Sequence, residues 1–431
     1  MNQQAPCKPI GETPLPARDP YSVFAAGHQS TKLEEFFMLI QNGLVFTEEE
    51  RFMPLSIRTD DDKITALISE DDKKDDKEET DTVIDASGCY VIPGLTDIHF
   101  HGCDGYDFCD NDLEAYEKIA AFCLQNGVTS ICPATMTMPK ELLNGICETA
   151  AAFHSMQKKG GRFSDGADLI GIHMEGPFIS QAKKGAQNAA YICDPNEEDV
   201  ERYLTLSGGL VKLISLAPEL SNALPVIKKY KDKTAFSIAH TEADYACAKA
   251  AMDAGALHVT HLYNAMPPLH HRDSGVIGAA ADTEHCYVEL ICDGLHISAP
   301  VVRATFRLFP DRVLLISDSM RAAGKPDGTY TLGGQDVSVH GNKAVLADGT
   351  IAGSVTPLFS CMLTAVSMGI PLEKAVAAAT IHPCRSVGMD RLYGSISPGK
   401  KAHLLLLDKE SLQIRQILKD GKCMKPKCDK R

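Results

Sequence analysis

The sequence predicts an α/β protein: a (β/α)8 TIM-like barrel, with a small β-sandwich domain assembled from its N- and C-terminal segments. Three observations lead there. Eight short apolar runs, rich in β-branched residues, follow one another between 94 and 320, separated by stretches of helical periodicity. Strand-like segments with turn signals stand both before the first run and after 400. The 431 residues also exceed the roughly 250 that a barrel uses, leaving chain for a second module.

Residues 1–33, rich in Pro, Gln, Ser and Gly, are expected to form a loose arm. MLIQNGLVF (38–46), ITALIS (64–69) and DTVIDASGCYVIPG (81–94) read as strands. DDKKDDKEETD (71–81) reads as a solvated loop tip. The small module is expected over 34–93 and 390–425, and the barrel over 94–389. The eight barrel runs are GLTDIHFHG (94–102), TSICPATM (129–136), DLIGIHMEG (168–176), LVKLISLAPE (210–219), AFSIAHTE (235–242), LHVTHLYNAM (257–266), CYVELICDGLH (286–296) and RVLLISDSM (312–320). Their continuous apolar character suits parallel strands covered on both faces. Intervening stretches such as LEAYEKIAAFCLQNG and EADYACAKAAMDAG carry the helical period and end at Gly. Beyond 320, TYTLGGQDVSV and NKAVLADG read as strands with turns, 353–369 and 371–388 as helices, and 402–408 and 414–422 as closing strands.

Hydrophobic residues make up 44% and charged residues 23%, ordinary for a globular chain. A net charge of −14 argues against a nucleic-acid partner, which needs a basic face. No apolar run reaches the ~20 residues of a membrane helix, and the start shows no signal-peptide h-region, so a cytoplasmic protein is expected. The 15 cysteines are scattered; Cys132, Cys286 and Cys292 lie in apolar runs and read as small buried side chains.

Polar residues fall where a barrel places its chemistry, at the C-terminal ends of the strands. His99 and His101 end the first run, Glu175 the third, His240 the fifth, and Asp318 the eighth; His261 lies in the sixth. Two positions apart on a strand, His99 and His101 share a face and can aim at one point. Each residue has a structural alternative: a core histidine, an ion pair of Glu175 with Lys183 or Lys184, an N-cap role for Asp318. The coincidence at several strand ends favours a metal centre, with Asp318 as general base. His173, on the face of Glu175, is expected to support the site rather than ligate, and His258 to point away from the pocket. Mixed N and O donors suit zinc first, or Fe, Co, Ni or Mn.

With these residues in view, the chain resembles the N-acetylglucosamine-6-phosphate deacetylases of the amidohydrolase superfamily. The resemblance runs from about 38 to 422, through PGLTDIHFHG, GIHMEGPFISQAKKGAQN, LAPE, HTEADY, THLYNAMPPLHHRDSG, ICDGLHI, ISDSM, AGS and IHPCRSVG. It implies Glu175, His240 and His261 as metal ligands and Asp318 as catalytic acid/base. It implies substrate contacts from Asn264 and Ala265, a phosphate-binding Arg272, a sugar-contacting segment Asp293, Gly294, Leu295 and His296, and a loop of Ile351, Ala352 and Gly353 over the substrate. Ala186-Gln187 stands where many members have a small residue followed by a substrate-contacting His; a Gln amide can donate a hydrogen bond in its place. His99 and His101 leave room for a second ion bridged by Glu175, so one or two ions are expected. LAPE lacks the bridging lysine of many two-metal relatives. The resemblance further implies a homodimer, in which a neighbour's arginine completes the phosphate site. The implied reaction is hydrolysis of the acetamido group of N-acetyl-D-glucosamine 6-phosphate to D-glucosamine 6-phosphate and acetate; the alternatives are the galacto epimer's deacetylase, another amidohydrolase, and a non-catalytic sugar-phosphate sensor.

Overall fold

A computed structural model of the chain describes Met1, residues 37–69 and residues 82–424. The expected arm beyond Met1 and the charged loop 71–81 lie outside the described residues.

The eight runs become eight parallel strands: Leu95–Asp97, Val128–Ile131, Asp168–Leu169 continuing as Ile172–Glu175, Val211–Leu216, Ala235–Ile238, His258–Val259, Tyr287–Ile291 and Val313–Ile316. Each pairs in parallel with the next. The ring shuts between the last and the first, where the Asp318 N–H donates to the His99 carbonyl at 2.9 Å and the Ser317 hydroxyl to Asp97 at 2.6 Å. One helix follows each strand: Leu113–Gln125, Lys140–Lys159, Glu197–Leu206, Ala223–Tyr230, Tyr245–Ala254, Gly275–Ala281, Ala299–Leu308 and Leu358–Ser367. Local chemistry sets their ends. Asp112 and Asp244 cap their helices by accepting from the Ala115 and Cys247 N–H groups. The strands are apolar on both faces because both are covered. Val288 and Leu290 join the cluster beneath the helices, while Ile291, Leu314 and Ile316 pack with Ile98, Cys132 and Ile170 in a second cluster.

The small module is one eight-stranded sheet drawn from both ends of the chain. Cys89–Pro93 pairs in parallel with Phe37–Phe46 on one side and antiparallel with Leu404–Asp408 on the other. Met38, Ile40 and Ile57 share a core with Leu404, Leu406 and Leu418, as a sheet folded over into a sandwich requires.

Four local readings change. Phe52–Asp60 is a strand that the sequence hides behind Pro54. Its neighbour Lys63–Ser69 begins to pair only at Leu55, so Pro54 lies beyond that neighbour's reach. The sixth run keeps only His258–Val259 as strand, because turns begin where the site begins. The helix expected over 353–369 starts at Leu358, and the one over 371–388 breaks at Thr380 into Leu372–Ala379 and Ile381–Ser386. Between the eighth strand and its helix, Gly328–Leu332, Gln335–His340 and Lys343–Val345 form a small antiparallel sheet, as their pattern predicts. Among the described residues no helix is long and apolar enough to cross a membrane.

Candidate active site

The barrel's strand ends converge on Glu175, which is 2% exposed at the end of the third strand. Its Oε1 lies 3.3 Å from His99 Nε2, 3.3 Å from His240 Nε2 and 3.1 Å from His261 Nε2. Its Oε2 lies 3.2 Å from His101 Nε2. Asp318 Oδ1 is 3.6 Å from His99 Nε2 and 3.4 Å from His101 Nε2. All six residues that the run ends nominated therefore meet at one point. His99 and His101 do so from just beyond the regular strand, their rings nearly perpendicular at 89°. Asp318 caps no helix, and the ion pairs of Glu175 are with histidines, not with Lys183 or Lys184.

The main chain is bent to make this happen. His240, His261 and Asp318 have φ of 43°, 31° and 47°, left-handed conformations that non-glycine residues adopt at a cost of about 1–2 kcal/mol each. Main-chain bonds from neighbouring segments hold two of them there. Ser180 N–H donates to the His240 carbonyl at 2.8 Å, and Ser354 N–H to the Asp318 carbonyl at 2.7 Å. Just past Glu175, Gly176 has φ 83°, and a Cβ there would come within 2.1 Å of Thr137 Oγ1. Only glycine lets the chain turn so close to the strand end.

Hydrogen bonds behind the site set which ring nitrogen faces inward. His240 Nδ1 lies 2.8 Å from the Lys183 carbonyl and can only donate to it, which leaves Nε2 as a lone-pair donor toward Glu175. His99 Nδ1 lies 2.7 Å from Glu289, a carboxylate that is fully buried in the seventh strand. His99 Nε2, also buried, has no hydrogen-bond partner. His173 stacks edge-on against His99 with ring centroids 4.6 Å apart, and burial pulls it down to about 3, so it stays neutral. Its Nε2 meets the Ser215 hydroxyl at 2.7 Å. His258 stays off the cavity wall and meets Glu289 at 3.0 Å. Burial opposes charge at the centre. Even so, Asp318 and Glu175 push His101 up to about 10, and His101 and His99 hold Asp318 below the usual carboxylate range.

A cavity of about 350 Å³ opens over this centre. Of the expected substrate contacts, Ala186, Gln187, Asn264, Ala265, His296, Ile351 and Gly353 line it. Asp293, Gly294, Leu295 and Ala352 do not. Asp293 works from behind: it accepts from the Leu295 and His296 N–H groups at 2.9 Å and holds His296 Nδ1 at 2.7 Å. Ala352 is buried, its N–H bonded to the Ala344 carbonyl. Arg272 is exposed and off the cavity wall, and it makes no ion pair with Asp273. Gln187 lines the cavity, but its amide is already engaged. Nε2 donates to Glu175 Oε2 at 2.7 Å, and Oε1 accepts from the Thr137 N–H at 2.6 Å.

Sequence reasoning missed three groups. Glu289 was readable only as one charged residue inside an apolar run. Lys183 places a cation on the cavity wall. Leu332 and Thr350 bring the small antiparallel sheet and the segment after it to the cavity, and Gln335 of that sheet bonds the Ala186 carbonyl at 2.5 Å.

The amidohydrolase family profile matches residues 90–427. The N-acetylglucosamine-6-phosphate deacetylase of Bacillus subtilis (strain 168) is 33% identical over 392 residues, covering 88% of this chain and 95% of that protein. The Bos taurus deacetylase of the same name is 33% identical over 350 residues, 78% of this chain and 84% of that one. The N-acetylgalactosamine-6-phosphate deacetylase of Escherichia coli O157:H7 is 32% identical over 333 residues, 77% and 86%. Among solved structures, the Pasteurella multocida N-acetylglucosamine-6-phosphate deacetylase superposes with a TM-score of 0.82 at 27% identity, covering 90% of this chain and 100% of that one. A mutant of the Mycobacterium smegmatis enzyme in complex with N-acetyl-D-glucosamine-6-phosphate gives 0.79 at 28% identity, covering 90% and 99%. With its barrel, its small sheet and the histidine–carboxylate cluster at the strand ends, the chain belongs to the amidohydrolase family, among the N-acetylglucosamine-6-phosphate deacetylases.

Proposed function

We propose that the chain hydrolyses the acetamido group of N-acetyl-D-glucosamine 6-phosphate, giving D-glucosamine 6-phosphate and acetate, and that the residues around Glu175 hold the divalent cation this reaction uses. The observation that carries the reading is the arrangement of four imidazole nitrogens around one buried carboxylate, one of them, His99 Nε2, without a partner. His240 Nε2 and His261 Nε2 are 3.1 Å apart and face the same oxygen, a spacing that suits a shared cation. Glu175, His240 and His261 would hold one ion; His99, His101 and Asp318 gather the donors for a second. Zinc suits these donors best, and Fe, Co, Ni or Mn fit the same set.

A cation bound there supplies Lewis acidity, polarising the amide carbonyl and acidifying a water. The protein's own groups do the rest. Asp318, held ionised on the cavity wall, takes a proton from the attacking water as its oxygen bonds to the carbonyl carbon. It returns that proton to the nitrogen as the C–N bond breaks, so acetate and a free amine leave. His296, fixed at Nδ1 by Asp293, presents its other ring nitrogen to the sugar. Asn264 and the Ala265 main chain position the phosphate end, so binding far from the amide aligns it for attack. Gln187 is not assigned to the amide oxygen, because both ends of its own amide are taken. Since Arg272 is off this chain's own cavity, the phosphate arginine fits best as a contribution across a homodimer. The cysteines among the described residues are all free, which suits a reducing compartment, and we place the enzyme in the cytoplasm.

The test is acetate release from N-acetyl-D-glucosamine 6-phosphate and from its galacto epimer, for wild type and Asp318→Asn, with metal content measured on the same samples. Rapid release that falls by about 10²–10⁴ in Asp318→Asn with metal retained supports both the reaction and the role. Metal-loaded wild type that releases acetate from neither sugar refutes the assignment.

A further inference from the structure

We infer that Glu289 is a positioning residue, which fixes both sides of the cation site from below without touching substrate. It sits in the middle of the seventh strand, 0% exposed. It is in phase with Tyr287 and Ile291, which belong to the apolar cluster of Ile98, Leu314 and Ile316. A carboxylate in such surroundings is unfavourable unless fully partnered, and this one is. Oε2 accepts from His99 Nδ1 at 2.7 Å and from the His261 main-chain N–H at 3.0 Å. Oε1 meets His258 Nε2 at 3.0 Å. It does not line the cavity.

The two bonds of Oε2 act on two different strands' contributions to the site, His99 after the first strand and His261 after the sixth. The bond to His99 fixes the tautomer, so that Nε2 points at Glu175 and Asp318 as a lone-pair donor, and the negative charge behind the ring makes that donor more basic. The bond to the His261 N–H anchors a residue whose φ is 31°, holding a strained main chain in the shape that aims its ring at Glu175. One oxygen thus ties the first strand's histidine to the sixth strand's. A Gln could still fill the space but would carry no charge, and it would have to turn its amide N–H toward at least one donor.

This inference rests on the reading of the site as a cation site. Its test is therefore made first on binding. The affinity of purified protein for Zn²⁺, measured by chelator competition, and the number of ions bound are compared for wild type, Glu289→Gln, His99→Gln and the double variant. The thermal midpoint of each metal-free protein is measured alongside, and kcat and KM on the sugar phosphate follow. Glu289→Gln is expected to lose about 10–100-fold in affinity for one ion. Its kcat should fall while KM stays within twofold of wild type, and in the His99→Gln background it should lose clearly less. Affinity and kcat within twofold of wild type, whether or not the metal-free midpoint drops, overturn the inference and leave Glu289 a structural group. The same loss with His99 already removed also overturns it. Should Glu289→Gln not fold, Glu289→Asp takes its place, keeping the charge but withdrawing it by one methylene, and the same outcomes decide. A wild type that binds Zn²⁺ but deacetylates neither sugar sinks the proposed reaction and leaves this inference standing.

Discussion

Gln187→Ala separates two readings of the residue that departs from the family's histidine. If Gln187 acts on Glu175, as its bonds indicate, truncation removes the 2.7 Å donor to Oε2 and the 2.6 Å acceptor of the Thr137 N–H. A buried hydrogen bond to a charged group contributes about 1.5–3 kcal/mol. Carried into cation binding at 1.4 kcal/mol per factor of ten, that is about 10–100-fold in affinity. The orphaned Thr137 N–H adds about 1–3 kcal/mol against folding, which shows in the thermal midpoint rather than in binding. Gln187→Glu divides the two effects. Its carboxylate can still accept from Thr137, but it faces Glu175 with a like charge, so the metal-free protein should lose stability while cation affinity is spared, because a bound cation offsets that repulsion. The assay is chelator competition for Zn²⁺ together with kcat and KM on N-acetyl-D-glucosamine 6-phosphate. The expected result for Gln187→Ala is weakened metal binding, with KM little changed once metal is saturating. A KM raised tenfold or more at unchanged metal affinity would refute the reasoning and return Gln187 to direct contact with the substrate.

Two further outcomes are expected. Arg272→Ala should raise KM for the sugar phosphate by about 10-fold or more, as for a lost charge-assisted contact, with metal content unchanged. Mixing it with Asp318→Asn subunits should restore one intact site per dimer, and activity that stays at the lower of the two parents would rule out a contribution across the interface. Glu50 is paired with His382 at 3.0 Å and Lys374 at 3.0 Å, and the His382 bond leads the effects that hold its carboxyl at about 2 despite burial. A depressed carboxyl stabilises the fold above its unfolded pKa of about 4.5, and that contribution is lost as pH falls toward about 2. Glu50→Gln should therefore be less stable than wild type by about 1–2 kcal/mol at pH 7, allowing for solvent screening, and the gap should close on acidification; urea titrations at several pH values measure it.

What the sequence revealed follows from which physical signals are local. A continuous apolar run bounded by turns marks a doubly covered strand whatever its partners, so all eight strands were legible. A polar residue ending such a run stands out for the same reason, and His99, His101, Glu175, His240, His261 and Asp318 were found that way. Side-chain direction and remote pairing have no local signal. Glu289 and His99 are 190 positions apart, and nothing in CYVELICDGLH says that its glutamate serves the first strand. Gln187 lies in a segment of short turns where no period tells which way its amide faces. Arg272 and Asp293 were named from the resemblance alone, and the structure puts one on the surface and the other behind His296.

The left-handed backbone at His240, His261 and Asp318 carries the least signal, since composition gives no hint that histidine or aspartate will take a conformation glycine prefers. That conformation nevertheless explains why the strand ends were the right place to look. A residue continuing a strand alternates faces, and the next inward position would lie two residues further out, over solvent. Left-handed backbone two residues past the strand ends at Ile238, Val259 and Ile316 instead aims the side chain across the barrel mouth, and bonds from neighbouring segments keep it there. In Asp318 this is taken furthest, because the N–H of the residue proposed to move the proton is also the one that closes the ring between the eighth strand and His99. The barrel cannot loosen at that seam without moving its acid/base relative to the histidines, so stiffness of the fold and alignment of the chemistry are one requirement at this position.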